Sequence, residues 1–164
     1  MSVDDIKSKL YAWLETFVEV PNDRLNGWSP CPYARQARLE NKIKIVEAEA
    51  SNIFYNIFCH LDSLNEVYDV IVYCFDASID PKYLSMCTEE LNRYRHHSGY
   101  VFLEDHPSVE EYVNGVKMNF GECALILAQK LDKLNNASEK LKQKGYYDVW
   151  SEENLNDVVN WRIQ

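Results

Sequence analysis

The chain has 164 residues, 46 % of them hydrophobic and 26 % charged, with a formal net charge of −9. That is the profile of one globular domain, long enough for a real core. The negative balance argues against nucleic acid as a general partner, and no apolar run has the length needed to cross a bilayer.

Taken in order, residues 3–18 predict an amphipathic helix, with Ile6, Leu10, Trp13, Leu14 and Phe17 on one face and Ser2 as its cap. An irregular connection through Asn26-Gly27 leads to a short helix starting near Pro32, a residue suited to a first helical position. Residues 42–50 predict a strand. Ser51 caps a helix carrying Ile53, Phe54, Ile57, Phe58, Leu61 and Leu64. Residues 68–75 predict the strongest strand, a nearly continuous β-branched and aromatic run of the kind covered on both faces. Asp80 and Pro81 open another helix, closed by Gly99, and Tyr100 to Leu103 form a third strand. From Ser108 the pattern is helical with interruptions near Gly115 and Gly121. Residues 123–144 predict one long helix marked by Ala124, Leu127, Leu131, Leu134 and Leu141, and Ser151 caps a final helix with Leu155, Val158 and Trp161. Alternating strands and helices predict parallel neighbours with right-handed crossovers. The expected fold is therefore α/β. It is a single domain over residues 1–164, with a three- or four-stranded, mostly parallel sheet, helices packed on it and a long C-terminal helix.

Five cysteines (Cys31, Cys59, Cys74, Cys87 and Cys123) are odd in number and widely spread. They include no Cys-x-x-Cys and no Cys/His set at zinc spacing, which speaks against a disulfide framework. A reducing compartment follows. The acidic start Met-Ser-Val-Asp-Asp lacks the apolar region of a signal peptide, so a cytoplasmic location is expected.

The densest chemistry lies in Gly27 to Leu39. Cys31 sits between two prolines at the mouth of the predicted short helix, with Arg35 and Arg38 four and seven residues on, the spacing of one helical face. A thiol there faces unpaired N–H groups and the positive end of the helix dipole, and guanidinium charges favour the thiolate. The same arrangement binds a phosphate or carboxylate without using sulfur. Trp28 and Tyr33 flank it as further ligand-contacting candidates. The structural alternative is a buried cysteine acting as a small hydrophobe beside an ordinary Pro-x-Pro corner. Charge is distributed unevenly around this stretch. Residues 21–45 carry five basic and two acidic groups, a balance of +3, whereas residues 46–80 carry seven acidic groups and no Lys or Arg.

Cys31-Pro32-Tyr33-Ala34 is similar to the first half of the Cys-Pro-Tyr-Cys site of glutaredoxins, with Ala34 replacing the second cysteine and no apolar strand before the motif. Over about residues 3–107 the chain resembles a family of uncharacterised bacterial proteins with a Cys-Pro-Phe-Ala signature. The matching features are Cys31 to Ala34, a strand–helix–strand region and His106-Pro107 after another strand; the part beyond residue 108 departs from that pattern. The resemblance implies that Cys31, Arg35 and His106 lie near one another, and it implies no activity.

His106, in a turn after a strand, is the candidate general base of a Cys–His pair with Cys31. A weaker constellation is expected where parallel strands end: Glu49, Asp76 with Asp80, Glu104 and Asp105, carboxylates of the kind that hold a hard cation, or plain turn and cap residues. Two functions compete. One is a protein recognising a small anionic ligand, with Arg35 and Arg38 as the clamp and Cys31 as the nucleophile of a thiol-dependent enzyme. The other is a non-enzymatic, acidic module that binds another protein through Tyr146, Tyr147, Trp150 and Trp161. No cofactor is implied by either.

Overall fold

The computed structural model describes residues 2–164, without the side chains of Val3 and Asn65. Ser2 opens helix α1 (Val3–Trp13) by accepting the Asp5 N–H at 3.3 Å, and Asp4 and Asp5 favour the positive helix end. A wider turn, Leu14–Val18, continues it, so Ile6, Leu10, Leu14 and Val18 form one buried row. The chain then gives α2 (Ala34–Leu39), β1 (Ile43–Glu47), α3 (Ile53–His60), α4 (Ser63–Glu66), β2 (Val70–Phe75), α5 (Pro81–Arg93), α6 (Arg95–Ser98) and β3 (Tyr100–Asp105). Asp80 caps α5 as expected, its side chain accepting the Lys82 N–H at 2.9 Å with Pro81 in the first turn.

Beyond β3 the structure departs from the sequence expectation twice. The helical reading after Ser108 is replaced by a small hairpin, β4 (Tyr112–Val113) and β5 (Val116–Lys117), turned by Asn114 and Gly115 at φ 47° and 78°. Two successive positive φ values are what a tight two-residue hairpin turn requires, and Asn-Gly supplies them at least cost. The single long helix of 123–144 is two elements, strand β6 (Ala124–Lys130) and helix α7 (Leu131–Gln143). The last segment runs α8 (Glu152–Leu155), a wider turn Asn156–Asn160 and α9 (Trp161–Ile163).

The sheet order is β1-β2-β6-β3. β1 and β2 are parallel, while β6 pairs antiparallel with both β2 and β3. The three strands read from sequence therefore do run the same way, but the inserted β6 makes the sheet mostly antiparallel by pairing, which corrects the mostly parallel expectation. A central strand with neighbours on both edges is buried on both faces, and Ala124, Leu125, Ile126 and Ala128 are all inaccessible.

Alternation along β2 separates two cores. On one face Ile71, Tyr73 and Phe75 meet Ile53, Ile57, Leu84, Cys87 and Leu91 of α3 and α5. Buried Asn92 ties α5 to β3, its amide donating to the Phe102 carbonyl and accepting the Phe102 N–H, both at 2.8 Å. On the other face Val72, Cys74 and Leu125 pack under the α1 row. This second face is not filled to its edge, and the gap holds the candidate site.

Candidate functional site

A cavity of about 540 Å³ lies on the α1 face of the sheet. Its floor is Val70, Val72, Leu125 and Leu127; its walls are Leu14 and Phe17 on one side and Leu134, Leu141, Tyr146 and Trp150 on the other. Volume and lining match an ordinary small-molecule site, mostly apolar with a few polar groups.

Cys31 lines this cavity. It is exposed in area, yet protein surrounds the sulfur closely enough that burial pushes its pKa up. The two observations agree if the accessible surface faces the cavity, and the surrounding protein then governs the chemistry. The expected cap geometry is partly present: backbone N–H groups of Tyr33 and Ala34 stabilise the thiolate, but desolvation outweighs them and Glu19 opposes ionisation too. The helix itself begins at Ala34, not Pro32, and has only six residues. A depressed thiol pKa is therefore corrected to a raised one.

The two arginines do not clamp an anion with Cys31. Arg38 is held bidentately by Glu19, at 2.7 and 2.9 Å, and also meets Glu15 at 3.2 Å. Arg35 is exposed on α2 and does not line the cavity. Tyr33 lines the cavity. Trp28 stands behind it with its ring edge-on to Tyr146 at 5.8 Å. Tyr146 donates its hydroxyl to the Pro30 carbonyl, and burial raises its pKa, with Cys31 adding to the shift.

His106 is not brought to Cys31. It is buried; Nδ1 accepts the Ser108 N–H at 3.0 Å, so Nε2 carries the proton and donates to the Ile79 carbonyl at 2.8 Å. With both ring nitrogens engaged and no share in the cavity lining, it has no free nitrogen to serve as base.

The carboxylates at the strand ends are gathered only in part. Glu104 and Asp105 are adjacent in β3 and so point to opposite faces. Asp105 is held by the Asn119 amide at 2.6 Å and the Phe120 N–H at 2.8 Å. Asp76 accepts the Ser78 N–H at 2.9 Å. Asp76 and Glu49, with Glu47 and Glu122, line a second cleft of about 820 Å³. Among the described residues no group of three or more His, Cys, Asp or Glu could hold a metal ion.

Sequence reasoning missed the residues that give the cavity its polarity. Arg162 lines it at 2 % exposure, with Nη2 donating to Ser138 Oγ at 2.9 Å while Nε and Nη1 have no hydrogen-bond partner. Burial lowers its pKa and the neighbouring Tyr147 hydroxyl works against that fall. The signal was legible: Leu155, Val159 and Arg162 follow one another at helical spacing, placing a cation on an apolar stripe. Glu111 lines the cavity too. It is exposed in area, but burial together with Asp105, Glu104 and Asp157 pushes its pKa up to about 7. Facing the cavity rather than bulk water accounts for both. Tyr146, Tyr147 and Trp150, expected on a partner surface, instead form a mutually packed wall of the cavity, while Trp161 stacks on Arg95 at 5.3 Å.

Against known proteins, the chain matches no family model, no curated protein and no solved structure.

Proposed function

We propose that this protein binds a small, largely apolar molecule in the cavity between the sheet, α1 and the C-terminal segment, and that it does so without covalent chemistry. The observation that carries this is the cavity itself, about 540 Å³ with a mainly apolar lining, the size and character of a small-molecule site. A thiol with a raised pKa and no base beside it supports binding over nucleophilic catalysis. The anion-recognising character expected from Arg35 and Arg38 passes to other groups, because Arg38 is already neutralised. Five cysteines standing as thiols fit the cytoplasmic location expected for it.

Cys31 is a built-in reporter for the test. A hydrophobic fluorescent probe added to the native protein should brighten on binding and slow alkylation of Cys31, mapped by peptide mass. Cys59, exposed on α3 and outside the cavity lining, should react at an unchanged rate. Equal slowing of both thiols, or of neither, removes the cavity as the binding site.

A further inference from the structure

We infer that the ligand is an elongated amphipathic molecule bearing one carboxylate, of the medium-chain fatty-acid class, and that Arg162 holds its head group. This rests on the cavity being a binding site and names what it takes.

The first support is an unmet need for charge. Arg162 is among the largest fully buried side chains, its Nε and Nη1 make no well-formed hydrogen bond although the Tyr147 hydroxyl stands near, and among the described residues no carboxylate forms an ion pair with it. Arginine stays charged in proteins, and a buried charge without a counter-ion is among the costliest arrangements a fold can hold. Arg162 is part of the cavity lining, so an anion entering there lies next to donors already stripped of water.

The second support is the pattern of charge around that point. Glu40 and Asp69 line one end of the cavity, and Asp105 and Glu111 line the other. A second negative group on the ligand would meet repulsion at either end, so a single monoanionic group matches a single cation. Tyr147 and Ser138 beside Arg162 add hydroxyl groups suited to a carboxylate oxygen.

The third support is shape. The lining runs from Val70 and Gln129, at one end of the β2–β6 pair, to Leu125 near the other. The five residues of β6 from Leu125 to Gln129 cover about 14 Å of extended strand, so the volume is drawn out along the strands. Apart from the charged points the walls are apolar and aromatic, as an acyl chain requires.

Calorimetric titration of the native protein with decanoate and with 1-decanol tests the head group at constant chain length. The expected result is at least tenfold tighter binding of decanoate, an advantage abolished in Arg162→Met, which keeps the stem and removes the charge. Equal affinity for acid and alcohol, or a preference for the alcohol, overturns the assignment of the head group while leaving the cavity reading intact. Binding of neither overturns the cavity reading itself. A decanoate preference surviving in Arg162→Met moves the anion site away from Arg162 and overturns its role. The acid–alcohol comparison needs no variant, so it decides the question even if Arg162→Met does not fold.

Discussion

At the scale of single residues, Cys31 shows how a local motif can be right in geometry and reversed in chemistry. The backbone N–H groups that a helix mouth offers to sulfur are present, and they do lower the thiol pKa. What the motif does not contain is everything that packs around it from elsewhere: Val18, whose carbonyl takes the Cys31 N–H at 3.1 Å, and the cavity walls. Desolvation by those distant segments wins. The alkylation rate of Cys31 should therefore begin to rise at a higher pH than that of an unstructured peptide thiol. A profile titrating below the peptide would restore the activated-thiol reading. Arg38 carries the same lesson, since its helical spacing from Cys31 was legible but its partner Glu19, nineteen residues back, was not.

At the scale of elements, strand and helix types were legible wherever one period dominated. The nearly continuous apolar run of β2 and the Asp80-Pro81 start of α5 are examples. The failure at β6 has a clear physical cause. Ala-Leu-Ile-Leu-Ala is apolar at every position, and such a run fits a buried strand or a buried helix equally. Leu127, Leu131, Leu134 and Leu141 then continued a helical spacing across a boundary that lies at Lys130. Tertiary pairing on both edges, with β2 and β3, decides the matter in favour of strand. Gly145, which ends α7, was correctly placed, and it supports a quantitative expectation. Its φ is +86°, and an added Cβ would lie 2.8 Å from Asp148 Oδ2. That oxygen is the far end of a side chain that can turn aside, so the backbone conformation is the larger cost. Gly145→Ala should lower stability by about 1–2 kcal/mol, read from the midpoint of urea unfolding, and an unchanged midpoint would mean the turn has another conformation open to it.

At the scale of the whole molecule, the cavity is built from segments far apart in the chain: α1, the Pro30–Ala34 corner, the middle of the sheet, and everything after α7. No local pattern encodes such a space, which is why the site eluded a sequence reading even where its individual elements did not. The same assembly also links stability to pH through Glu111. Its carboxyl titrates near the ordinary value of 4.5 when unfolded and at about 7 when folded, because burial and the carboxylates of Asp105, Glu104 and Asp157 oppose its ionisation. Between those values the folded chain keeps a proton that the unfolded chain has lost. Stability must then fall as pH rises through that window, with the loss complete above about 7. Water at the cavity end screens part of the effect, since Glu111 is exposed in area. Burial also raises Glu104 and Asp105, so they contribute in the same direction and some dependence remains without Glu111. Glu111→Gln removes the titration centred at about 7. Its melting temperature should track the wild type below pH 4.5 and exceed it above pH 7, by a few degrees for a domain of this size. Melting curves recorded every half unit from pH 4 to 8 provide the check. Parallel profiles for the two proteins would mean that Glu111 faces bulk water, and that the cavity ends short of it.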